Sequence, residues 1–198
     1  MQYLEKIVRL VEKGRIKTKY SHHNLIYRRQ NHFIFSVDCS GLVEFWLSKR
    51  APLALAEIYD FVYRVRPVGK EQIKRLYSFD FYDYFGSIAE KGGQHWQVVD
   101  TMQILRQGDI IAFINQNRRG RFGHIAVVDK EIERNSERIV VRIIDSSTVE
   151  HIDDCRPSVK RGIGKGSIEL HLTNGKITSV CYTPSCYKSR QVMIGRLK

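Results

Sequence analysis

The chain has 198 residues, enough for one domain with a sizeable core and few for two. At 42% hydrophobic and 27% charged residues it has a globular composition, and no stretch approaches the roughly 18 uninterrupted apolar residues of a membrane helix. The formal net charge of +12 favours anionic partners. However, the Lys and Arg residues lie in scattered groups such as "KGRIKTK", "NRRGR" and "KRGIGK", and no nucleic-acid-binding signature accompanies them, so no specific nucleic-acid partner is expected.

Residues 2 to 14 place Tyr3, Leu4, Ile7, Val8, Leu10 and Val11 at the spacing of an amphipathic helix ending near Gly14. Glu5, Arg9 and Glu12 interrupt this pattern, which excludes a secretory leader here. The sequence as given therefore reads as cytoplasmic, a periplasmic or secreted location requiring a leader ahead of it. A polar, irregular stretch follows. A second helix is expected from about Cys39 to Lys49, with Leu42, Val43, Trp46 and Leu47 inward, stopping before Pro52. Residues 51 to 100 are aromatic-rich and helical in parts.

The second half changes to β-rich runs at 108–114, 123–132, 138–145, 166–177 and 191–197, divided by Gly, Asn and charged turns. Helices first and consecutive strands afterwards predict an α+β domain built on an antiparallel meander. The glycines of "GIGKGSIEL" precede an alternating strand pattern and no helix, so they read as turn or bulge residues, not as a phosphate loop.

Within "FSVDCSGLVEFWL" (35–47), Cys39 falls at the first turn of its helix, where unpaired N–H groups and the helix dipole favour a thiolate. An isolated cysteine is ordinarily a small buried hydrophobe, so a nucleophile needs a base and the base an orienting group. His124 follows Gly123 at the opening of "GHIAVV", and Asp145 closes the next strand, "RIVVRIID". In an antiparallel pair the start of one strand lies beside the end of the next, which makes the two neighbours. Asp145 shares its strand face with Ile139, Val141 and Ile143 and so points inward, where a carboxylate requires partners. His151, a few residues further on, is the other candidate for orienting His124. The remaining cysteines, Cys155, Cys181 and Cys186, have neither a disulfide-framework pattern nor, with His151, a standard zinc spacing. No metal or organic cofactor is called for.

Together "VDCSGLVEFWL", "GDIIAF" and "GHIAVV" resemble the NlpC-type, papain-like cysteine hydrolases, in which a D-C-S-G motif opens a helix and a G-H motif opens a strand of a small antiparallel sheet. The resemblance runs from about residue 20 to 146. It implies N-terminal helices on a central antiparallel sheet, Cys39 as nucleophile, His124 as base and Asp145 as the third member. It also implies that Tyr27, a dozen residues before the cysteine, lines the site. Asp38 and Ser40 flank the nucleophile as candidate substrate or oxyanion contacts. The glycine pair usual between the tyrosine and the cysteine is absent, and residues 51–100 stand as an insertion in a single domain. The implied activity is hydrolysis of a peptide amide through a thioester, with bacterial peptidoglycan stem peptides as the default substrate. The alternatives are a deamidase or acyltransferase on another small molecule or protein, and a non-catalytic basic binding module on the same fold.

Overall fold

The computed structural model describes residues 1–29, 32–66, 73–99, 103–117, 120–156, 161–182, 188–189 and 191–198. The protein is α+β. Helix α1 (Gln2–Glu12) buries Leu4, Ile7 and Val8, as its spacing predicts. Helix α2 (Cys39–Arg50) ends where Ala51 caps it, and Pro52 then opens α3 (Pro52–Val65). Proline suits this first helical position because its missing N–H would have had no partner there.

The stretch that reads as irregular holds three short strands, β1 (Ile16–Lys19), β2 (Leu25–Arg29) and β3 (His32–Ser36), in the order β1-β3-β2. Strand β3 runs parallel to β1 and antiparallel to β2. All five residues of β2 are exposed, so this strand lacks the apolar alternation by which strands are recognised.

Segment 51–100 supplies α3, α4 (Ser78–Ser87) and β4 (Trp96–Val98). Ala54, Ile58 and Val62 of α3 and Phe81, Tyr84 and Phe85 of α4 join the cluster that contains Leu42, Val43, Trp46 and Leu47 of α2. The aromatics expected here are thus mostly core, and the segment is continuous with the packing of α2.

The main sheet comprises β4, β5 (Ile110–Asn117), β6 (Gly120–Arg134), β7 (Arg138–Ser147), β8 (Gly162–Thr173), β9 (Lys176–Cys181), β10 (Lys188–Ser189) and β11 (Gln191–Leu197). Its order is β10-β9-β8-β7-β6-β5-β11-β4, with every pairing antiparallel. The run 166–177 divides at Asn174–Gly175, both at positive φ, which is the backbone a tight hairpin turn requires. Strands β9 and β10 approach β11 and β5, so the sheet curls back toward itself. Alternation sends Ile110, Ala112, Ile125 and Val127 toward the helices, and Ile111, Phe113, Ala126 and Val128 into a second cluster on the other face.

Phe85 is fully buried, packs on Trp96 at a centroid distance of 5.3 Å, and ties α4 to the sheet. Phe85→Ala is expected to cost about 3–5 kcal/mol by leaving a cavity. Urea unfolding should show a lower midpoint with an unchanged slope.

Candidate active site

The start of α2 is held by its own sequence. Asp38 is extended at φ −89° and ψ −174°, and its Oδ1 accepts the N–H of Gly41 at 2.8 Å, capping the helix. Cys39 is then the first helical residue and is 6% exposed. A main-chain N–H at this position has no partner within its own helix.

Asp38 is 2% exposed, and its other oxygen is taken by Arg75 Nη2 and by His22 Nδ1 at 2.8 Å. Burial raises the Asp38 carboxyl, but the Gly41 N–H, Arg75 and His22 together hold it below its ordinary value. Ser40, also 2% exposed, donates to Asp38 Oδ1 at 3.2 Å and accepts from Arg75 Nη2 at 3.1 Å. Both side chains expected to meet substrate are therefore consumed in fixing the helix start.

His124 lies within β6, opposite Phe113 of β5, and does not open the strand, which begins at Gly120. Its ring stacks parallel to Tyr182 at 6.3 Å, and its side chain is 13% exposed. Nε2 is 2.5 Å from Asp145 Oδ2, which leaves Nδ1 for the Cys39 sulfur. Burial alone would lower the His124 ring, but the negative charge of Cys39, its hydrogen bond and that of Asp145 push it up to about 10.

Asp145 is wholly buried. Oδ2 also meets His151 Nε2 at 2.6 Å, while Oδ1 accepts from Arg156 Nη1 at 3.2 Å. Burial raises this carboxyl, yet the charges of His151 and Arg156 and the hydrogen bonds of both histidines hold it well below the usual carboxylate range. His151 makes its hydrogen bond to Asp145, and its ring centroid stands 6.0 Å from that of His124, so it backs the orienting residue and does not replace it.

Two glycines of "GIGKGS" allow this arrangement. A Cβ on Gly164 would lie 2.4 Å from Arg156 Cγ, and one on Gly166 would lie 2.5 Å from His151 Cβ. They are strand residues placed for close approach of the 151–156 segment, not turn or bulge glycines. Ser146, next to Asp145, donates to the carbonyl of Val37 at 2.7 Å in a buried bond, which fixes β7 against the chain entering α2.

Tyr27 is in β2 opposite Ile34 and is 43% exposed. Tyr20, just after β1, is the tyrosine near Cys39, its hydroxyl kept protonated by burial first and then by the charges of Cys39 and Asp38. Its ring meets that of His22 edge-on at 5.2 Å. Tyr20, His22, Arg75 and Arg156 are the members that sequence reasoning did not select.

Among the described residues, two groups offer three potential metal-ligand atoms within 4.8 Å of one another: His124, Asp145 and His151, and Glu169, His171 and Cys181. In the first, separations of 2.5 and 2.6 Å between ligand atoms are hydrogen-bond distances with a proton between them. In the second, Glu169 is already engaged by Arg138 at 3.0 Å. Cys155 lies apart from both, its sulfur accepting the N–H of Lys165 at 3.1 Å. Cys186 lies outside the described residues.

Comparison with family models, with curated proteins and with solved structures finds no match to this chain. Among the described residues no helix is long and apolar enough to cross a membrane.

These shifts set a pH dependence of stability. Asp145 is depressed on folding, so its contribution is present above the unfolded carboxylate value of about 3.9 and is lost as pH falls through its lower folded value. His124 is raised, so its contribution is complete below the unfolded value of 6.5 and disappears as pH climbs toward about 10. Asp145→Asn strands two histidines and an arginine, and a loss of about 3–5 kcal/mol is expected at pH 7. Urea unfolding of both proteins at pH 2, 7 and 10 measures the loss and its decline toward the two extremes.

Proposed function

We propose that this chain is a cysteine hydrolase of NlpC-type, papain-like architecture that cleaves an amide bond through a Cys39 thioester. The observation that carries this reading is a single line of groups: a sulfur at a capped helix start, the His124 ring beside it, and a buried carboxylate on the far nitrogen of that ring. A merely structural cysteine requires neither of the other two.

The chemistry follows from this order of groups. The Cys39 thiolate attacks the carbonyl carbon while Nδ1 of His124 holds the proton. Collapse of the tetrahedral intermediate breaks the C–N bond, and His124 gives that proton to the departing amine. Water then attacks the thioester, losing its proton to His124 and releasing the acid. Asp145 keeps the ring in register and stabilises its protonated form. The N–H of Cys39 and the hydroxyl of Tyr20 are the donors available to the oxyanion, the latter in the role that the family resemblance implied for Tyr27.

The substrate class rests on the resemblance and on charge. Peptidoglycan stem peptides carry several carboxylates, and a surface of net charge +12 attracts them.

A thiol-directed electrophile at pH 5 to 6 should label Cys39 ahead of Cys155, Cys181 and Cys186, and His124→Ala should slow that labelling about a hundredfold. Release of amine from peptidoglycan fragments should vanish in Cys39→Ala. Equal, slow labelling of all four cysteines would leave a binding module on this scaffold as the better account.

A further inference from the structure

His151 follows β7, and its side chain is completely buried. Both ring nitrogens face oxygen. Nδ1 is 2.5 Å from the main-chain carbonyl of Tyr182, an atom that can only accept, and Nε2 is 2.6 Å from Asp145 Oδ2. A neutral imidazole has one N–H and can satisfy only one of these oxygens as a donor. The second bond could still form if Asp145 were protonated and donated to Nε2. Its surroundings oppose this, because the same carboxyl group also meets His124 Nε2 at 2.5 Å and Arg156 Nη1 at 3.2 Å. Three nitrogen donors converge on one carboxylate, which has acceptor sites for all of them.

We infer that His151 is a buried imidazolium, protonated on both nitrogens, and a positioning residue that shares the Asp145 carboxylate with His124. Among the described residues, the charged and titratable groups facing it are Asp145 from β7, His124 from β6, Asp154 and Arg156 from the segment before β8, and Tyr182 just after β9, whose ring meets that of His151 edge-on at 6.4 Å. Asp154 Oδ2 accepts the main-chain N–H of His151 at 2.9 Å and also binds the Arg156 guanidinium. His151 is the third cation here after His124 and Arg156, and it is tolerable because its own two N–H groups meet a carboxylate and a carbonyl while Asp154 offsets Arg156. Gly166 supplies the space for its ring.

The arrangement alternates in sign from the Cys39 thiolate through the His124 imidazolium and the Asp145 carboxylate to the His151 imidazolium. His151 draws on the same oxygen that grips the His124 proton, so it weakens that grip. A general acid held too firmly by its carboxylate would not release its proton to the leaving amine. This consequence rests on the proposed hydrolase reading, whereas the charge of His151 does not.

Nitrogen-15 NMR of the full, histidine-labelled protein counts the ring protons directly. Two exchange-protected N–H groups on His151 are expected at pH 7, and one bare ring nitrogen would overturn the inference. His151→Gln keeps a donor toward Asp145 without the charge. In that variant His124 should become more basic, so the alkaline limb of Cys39 alkylation by iodoacetate should move up by about one pH unit. A folded variant whose limb stays in place or moves down would refute the positioning role. Should the variant not fold, the wild-type proton count decides. Inert Cys39 with a doubly protonated His151 would refute the hydrolase reading alone.

Discussion

A carboxylate removed from water costs several kcal/mol unless donors surround it, and Asp145, with no exposed surface, sets that condition for the whole site. Its three nitrogen partners come from both sides of it in sequence: His124 on β6, and His151 and Arg156 on the segment between β7 and β8. That segment can lie against β8 because residues 164 and 166 have no side chains. The local shape of the sheet is therefore a consequence of satisfying one charge.

The Cys39 sulfur depends on a second, separate fixture. The Asp38 cap, locked by Arg75 and His22, determines where α2 begins and hence where the sulfur stands. The buried Ser146–Val37 bond then sets that helix start against the strand that holds Asp145. Arg75 comes from the region that reads in sequence as an insertion, yet it supports the cysteine motif and its neighbouring helices complete the core.

The parts legible in the sequence were those with strong periodicity or a local signature. The positions of α1, α2 and the main strands follow from apolar spacing, and the pairing of His124 with Asp145 follows from strand order and parity. Strands β1 to β3 were not legible, because they are only four or five residues long and their apolar residues, Leu25, Ile26, Tyr27 and Phe33 among them, are in part exposed and do not alternate cleanly. Tyr27 matches the site tyrosine of the resembled family but sits on an exposed strand, whereas Tyr20 follows β1, which pairs parallel to β3, a contact that local sequence does not report. Arg75 and Arg156 gave no signal among the 33 Lys and Arg residues of the chain. The alternating glycines of "GIGKGS" did carry one: small residues at every second strand position mark a face that something else must approach.

The sheet order also bears on how the molecule is made. Strand β5 has β6 on one side almost at once, but on its other side it waits for β11, which pairs residues 191–195 with 110–114. Until that return is made, a run of Ile110, Ile111, Ala112, Phe113 and Ile114 presents an open, apolar edge. Such edges recruit other chains, and long-range pairings are slow to close. The strand that braces the histidine thus carries an apolar edge that is closed only by the last strand of the chain.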